Sequence, residues 1–159
     1  MTDEIKRNAA RSHFRTACSA LDSMNWKYAP NEDQLSISTG ARGDDLNIDV
    51  NIHVVTDRQM VLVISPLPFR IKEEKRIDAS IAINAINNRH VDGFFDFDIQ
   101  SGRIFWRINA LYPNSILSEE AIKYLIMVTV RTVDQWNDSL MMLSSGMLSL
   151  EDLLKKILG

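Results

Sequence analysis

Between residues 46 and 54 the chain alternates strictly. Leu46, Ile48, Val50, Ile52 and Val54 are apolar, while Asn47, Asp49, Asn51 and His53 are polar. A period of two sends successive side chains to opposite faces, so this segment predicts a strand with one apolar and one polar face. Residues 59–64 predict a strand that is apolar on both faces, and residues 35–39 a short strand before the alternating one. Pro66 and Pro68 are expected to end the ladder, because proline has no backbone N–H to donate. Residues 91–99 and 103–111 predict two more strands.

The remaining apolar positions recur at helical spacing. Residues 2–25 predict a helix with Thr2 as cap, Asp3 and Glu4 in its first turn, and Phe14, Ala17, Cys18 and Leu21 as its apolar stripe. Residues 30–33, Pro-Asn-Glu-Asp, then read as a turn. Residues 73–89 predict a second helix with Ala79, Ala82, Ile83 and Ile86 inward. Ser118 caps a third, whose stripe runs Ile122, Leu125, Ile126, Thr129, Val133, Trp136, Leu140 and Leu143, and Gly146 stops it. Ser149, with Asp152 three residues on, opens a short C-terminal helix at about 149–158. The expected fold is a single α+β domain over 1–159, in the order α-β-β-β-α-β-β-α plus that short helix. An antiparallel sheet packs with the helices.

Hairpin registers assign the sheet faces. A turn at Asp57-Arg58 opposes Val54 to Val61 and Ile52 to Val63. A two-residue loop at Ser101-Gly102 opposes Ile99 to Ile104, Phe97 to Trp106 and Phe95 to Ile108, all on one apolar face. It also sets Asp96 against Arg107 as an exposed ion pair worth well under ~1 kcal/mol. The other face is not purely polar, because it carries Met60, Leu62, Ile64, Phe94 and Phe105. These five need a cover, and the simplest expectation is the chain's own helices; otherwise they form a partner or dimer surface.

Composition narrows the chemistry. The chain has 159 residues, 45% hydrophobic and 25% charged, which is the globular norm. Eighteen Lys and Arg against 21 Asp and Glu leave a net charge of −3, so neither nucleic acid nor an anionic membrane is expected as a partner. No run approaches the ~20 apolar residues of a membrane helix and no secretory h-region opens the chain, so a cytoplasmic location is expected. One cysteine, Cys18, rules out an internal disulfide, and its helical setting suits a small buried apolar residue better than a reactive thiol. His13, His53 and His90 lie in separate elements without metal-site spacing. Asp45, Asn47 and Asp49 begin like a calcium loop, but Val50 stands where that loop needs glycine. Residues 40–44 have glycines but no Gly-Lys-Ser/Thr ending, so a hairpin connection is expected there. Lys6, Arg7, Arg11 and Arg15 suit a solvated helix face. No carboxylate pair stands out as acid and base. No catalytic residue, cofactor or metal ligand is nominated.

Several local motifs, in order, resemble the YbjN-like family, described as proposed bacterial sensory transduction regulators. They are Asn25-Trp26, Ser65-Pro66-Leu67-Pro68, Ile83-Asn84-Ala85-Ile86-Asn87, the run from Gly93 to Asp98, Ser101-Gly102-Arg103-Ile104, and a long helix with Val130, Val133 and Trp136. The resemblance spans roughly residues 5 to 150. It implies a fold similar to class I type III secretion chaperones, small α+β domains that often dimerise and bind peptide segments without catalysis. It supplies no catalytic residues.

The expected function is therefore a non-enzymatic protein-interaction module, regulatory or chaperone-like. It would act as a bacterial homodimer that holds a protein segment on apolar sheet or helix surface. The alternative is a small-ligand sensor with a pocket between sheet and long helix, near Trp106 and Trp136.

Overall fold

The computed structural model describes residues 2–159. Helix α1 spans Asp3–Ser23, with the Thr2 hydroxyl accepting from the Ile5 N–H at 3.3 Å. Four strands follow: β1 (Tyr28–Asn31), β2 (Ser36–Arg42), β3 (Asn47–Val55) and β4 (Met60–Arg70). A short 3₁₀ turn (Glu73–Lys75) leads into α2 (Arg76–Asn87), and then come β5 (Phe94–Asp98) and β6 (Arg103–Leu111). Helix α3 (Glu119–Ser145) starts on Ser118, which accepts from the Ala121 N–H, and ends on Gly146 at φ +83°. Helix α4 (Leu150–Leu158) starts on Ser149, which accepts from the Asp152 N–H. These caps are the expected ones.

The strands form one antiparallel sheet in the order β1-β2-β3-β4-β6-β5. Three strand expectations need correction. The turn expected at residues 30–33 starts only at Glu32, because Pro30 and Asn31 belong to edge strand β1, in which Pro30 is tolerated because its missing N–H faces outward. Gly40, Ala41 and Arg42 belong to β2 and pair with Asp49, Ile48 and Asn47, so the connection is shorter than expected.

The third correction concerns β4, which runs through both prolines. Backbone groups alternate sides along a strand. The Tyr112 N–H donates to the Gln59 carbonyl, so odd-numbered β4 residues turn toward β6 and even-numbered ones toward β3. Pro66 therefore removes a donor only on the β3 side, and Pro68 falls in the irregular stretch between the Pro66 and Arg70 pairs. Pairing with β3 ends at Asn51–Ile64, whereas pairing with β6 continues through Ser65–Trp106 and Pro66–Phe105 and resumes at Arg70–Arg103.

The β3–β4 hairpin has the expected register, Val54 with Val61 and Ile52 with Val63. The β5–β6 hairpin is displaced by two residues: Phe95 opposes Trp106 and Phe97 opposes Ile104. The turn takes four residues rather than two. Asp98 stitches it, with its carboxylate accepting from the Gln100 N–H (3.0 Å) and Ser101 hydroxyl (2.6 Å), and its carbonyl from the Gly102 N–H (2.8 Å). A slip of two preserves the faces, which is why side-chain patterning alone left it open. Asp96 and Arg107 still meet at 2.6 Å, but diagonally, and both are more than two-fifths exposed.

The core lies on one face only. Ile37, Ile48, Val50, Ile52, Val54, Val61, Val63, Phe95, Ile104, Trp106 and Ile108 are buried there. All four helices contribute to the same cluster, including Phe14 and Leu21 of α1, Ile83 and Ile86 of α2, Ile126 and Leu140 of α3, and Leu153 and Ile157 of α4. His13 ties this layer down. Its Nδ1 donates to the Ala9 carbonyl, its Nε2 accepts from the Leu117 N–H, and its ring stacks on Tyr112 at 3.8 Å.

Candidate interaction face

The opposite sheet face keeps a wide apolar surface. Met60, Leu62, Ile64 and Phe105 are half-buried and Phe94 is 47% exposed. None of the five belongs to the buried core or to the apolar shell packed against it. The simplest expectation, cover by the chain's own helices, is therefore corrected, because the four helices all pack into the cluster on the other face.

Strand order joins the five residues into one patch. Ile64 lies beside Arg107, and Arg107 beside Phe94. Met60 lies between Val55 and Leu111, and Pro66 beside Phe105. Val55, Leu111 and Pro66 thus join the patch although sequence patterning did not single them out. The β4–β6 pairing that recruits Leu111 and aligns Pro66 with Phe105 crosses α2 and β5 in the chain, and such a non-local pairing leaves no local signal. Leu111 is 58% exposed at the end of β6. His53 and Asn51 border the patch along β3, while Arg107, paired with Asp96, lies within it between Ile64 and Phe94.

Both outer edges of the sheet are obstructed. On β1, Pro30 removes an outward donor. On β5, the Asn87 side chain imitates a neighbouring strand: its amide donates to the Phe95 carbonyl at 2.9 Å, and its oxygen accepts from the Phe95 N–H at 2.7 Å.

The region between sheet and long helix is packed. Trp106 is fully buried, its indole N–H donates to the Thr129 hydroxyl at 3.2 Å, and the Phe95 ring meets it edge-on at 5.1 Å. Trp136 is 5% exposed and donates to His90 Nε2 at 3.1 Å. A methyl group at Gly93 would approach the Trp106 ring to 2.6 Å, so the contact is tight. Both tryptophans are engaged by the chain itself, which weighs against the ligand-sensor alternative.

Burial lowers the pKa of His90 below its ordinary 6.5, against a smaller opposing pull from Asp92. The unfolded chain therefore takes up this proton more readily than the folded one. His90 favours the folded state fully above about 6.5, and that contribution is lost as the pH falls through the lower folded value. The His90 ring carbons, followed by NMR, should titrate below 6.5, and loss of the Trp136 bond should change tryptophan emission over the same range. In His90→Asn that emission step should vanish.

Cys18 is half-buried, not fully buried, and packs against the core. Burial pushes its thiol up, away from the reactive thiolate. Among the described residues no three His, Cys, Asp or Glu gather as a metal site, and no helix is long and apolar enough to cross a membrane.

No family model matches the chain, and no curated protein matches it in sequence. Solved structures do resemble it. YbjN from E. coli, described as a proposed transcription regulator, aligns with a TM-score of 0.57 at 11% identity, over 77% of this chain and 87% of that one. A chain of the ExsC–ExsE complex aligns with a TM-score of 0.58 at 16% identity, over 81% of this chain and 93% of that one. The chain thus has the α+β fold shared with these two structures, YbjN-like and type III secretion chaperone-like.

Proposed function

We propose that this protein is a non-enzymatic interaction module, regulatory or chaperone-like, that holds a protein segment on the open sheet face around Met60, Leu62, Ile64, Phe94 and Phe105. The observation that carries this reading is the uncovered apolar patch opposite a fully formed core. Apolar surface of this kind gains free energy when a partner removes it from water, at roughly 25 cal/mol per Å². The fold shared with ExsC, seen in complex with ExsE, supports a protein as the partner. A second copy of the chain and a bacterial, cytoplasmic setting belong to the same proposal.

The test uses a labelled, capped peptide of alternating leucine and serine, and fluorescence anisotropy. The triple variant Met60→Ser/Leu62→Ser/Phe105→Ser should keep its circular dichroism spectrum and lose at least about tenfold in affinity, as expected when buried apolar anchors are removed. A folded variant with unchanged affinity refutes the proposal.

A further inference from the structure

The split between β3 and β4 gives the open face a second kind of recognition. Continuing the β3–β4 register two residues past Asn51–Ile64 sets Pro66 against Asp49, and neither Pro66 nor Pro68, which lies in the irregular stretch before Arg70, has an N–H to donate. In β3 the Val54 N–H donates to the carbonyl of Leu35, just before β2, so the odd-numbered residues, Asn47 and Asp49 among them, turn their backbone groups toward β4. No β4 residue pairs with either one. Both are exposed, and the β3 carbonyls here face prolines that cannot donate to them, so the ladder is short of N–H donors.

A groove of about 450 Å³ lies at this split, lined by Asp49, Pro66, Leu67, Pro68, Arg70 and Arg103. That is the size of a small binding site, for which roughly 300–1,000 Å³ is usual. Its charge is unbalanced in a telling way. Arg70 and Arg103 are direct cross-strand partners, both exposed, and neither takes part in an ion pair among the described residues. Like charges placed directly opposite destabilise a sheet. Asp98 also stands opposite Arg103, but its carboxylate is engaged by the Gln100 N–H and the Ser101 hydroxyl. The Arg103 guanidinium instead lies 5.0 Å from the centre of the Phe105 ring, on the apolar patch itself. Asp49 is the one acid on the opposite wall.

We propose that this split is a docking slot for an extended acidic polypeptide segment of a partner protein. Its backbone would complete the ladder on Asn47 and Asp49, and its carboxylates would sit between Arg70 and Arg103. The slot rests on the interaction-module reading and adds to it the chemistry of the segment: acidic residues toward the open face, alternating with apolar ones toward Leu67. A ladder short of N–H donors favours a peptide over nucleic acid, which would use the arginines but not the ladder.

Three probes decide the matter by fluorescence anisotropy: a capped valine–glutamate alternating peptide, its valine–lysine counterpart and a single-stranded DNA oligonucleotide. The valine–glutamate peptide should bind wild type at least about tenfold tighter than the other two, and more weakly at high salt. Arg70→Glu/Arg103→Glu should reverse the preference in favour of the lysine peptide, a gain that an unfolded variant cannot show. N-methylation of alternate peptide nitrogens should abolish binding. Equal binding of the two peptides, tighter binding of the oligonucleotide, or charge reversal without effect overturns the slot. If the Met60/Leu62/Phe105 variant still loses the leucine–serine peptide in that case, the interaction face stands and only the slot falls.

Discussion

Trp106→Ala is expected to lower the stability of the folded chain by about 3–5 kcal/mol, and Phe105→Ser, one residue earlier, by no more than about 1 kcal/mol. The two aromatics point to opposite faces of β6. Trp106 is fully buried against Phe95 and His90, and its removal leaves a cavity beneath α3. It also takes a donor from Thr129, whose hydroxyl is otherwise bonded only to the Leu125 carbonyl. Phe105 is half-buried with no helix over it, so its truncation loses packing against strand neighbours but leaves no cavity in the core. Urea unfolding followed by circular dichroism measures both. A comparably large loss at Phe105 that grows with protein concentration would identify a second copy as the cover, since binding to the folded state stabilises it by mass action. A comparably large loss independent of concentration would contradict the one-sided core.

The second large effect is at the β5–β6 turn. Gly102 has φ +77°, and a methyl group there would collide with the Ile71 carbonyl oxygen. That carbonyl also accepts from the Arg76 side chain, and the Ile71 N–H donates to the Gly102 carbonyl, so the segment cannot retreat freely. Gly102→Ala should lower stability by about 1–3 kcal/mol from backbone strain alone, with the clash added. Gly146 is an internal control: φ is +83°, yet a methyl group there meets nothing within 4 Å. Thermal melts should rank Gly102→Ala well below Gly146→Ala, at roughly 2–4 °C per kcal/mol. Equal melting points would mean that the Ile71 contact yields easily.

What the sequence reveals follows from the range of each interaction. Helix caps are local, so Thr2, Ser118, Gly146 and Ser149 are readable from the chain alone. The strict alternation of residues 47–54 assigns both faces of β3. The β5–β6 register is not readable in the same way, because a shift of two keeps every side chain on its face, and only the Asp98 turn bonds decide it. Proline at 30, 66 and 68 reads as a breaker, but its effect depends on which neighbour the missing N–H would face. The five residues of the open face are legible by parity alone. That no helix covers them is not, because the side on which a helix packs is a property of the tertiary connections.

Mapping a bound peptide onto the backbone decides whether the open face is the interaction surface. Amide NMR shifts are followed while the leucine–serine peptide is titrated into the labelled protein. The largest changes are expected at Met60, Leu62, Ile64, Phe94 and Phe105, with the helices nearly silent. Changes confined to α1, α2, α3 or α4, with β4, β5 and β6 unmoved, would contradict it.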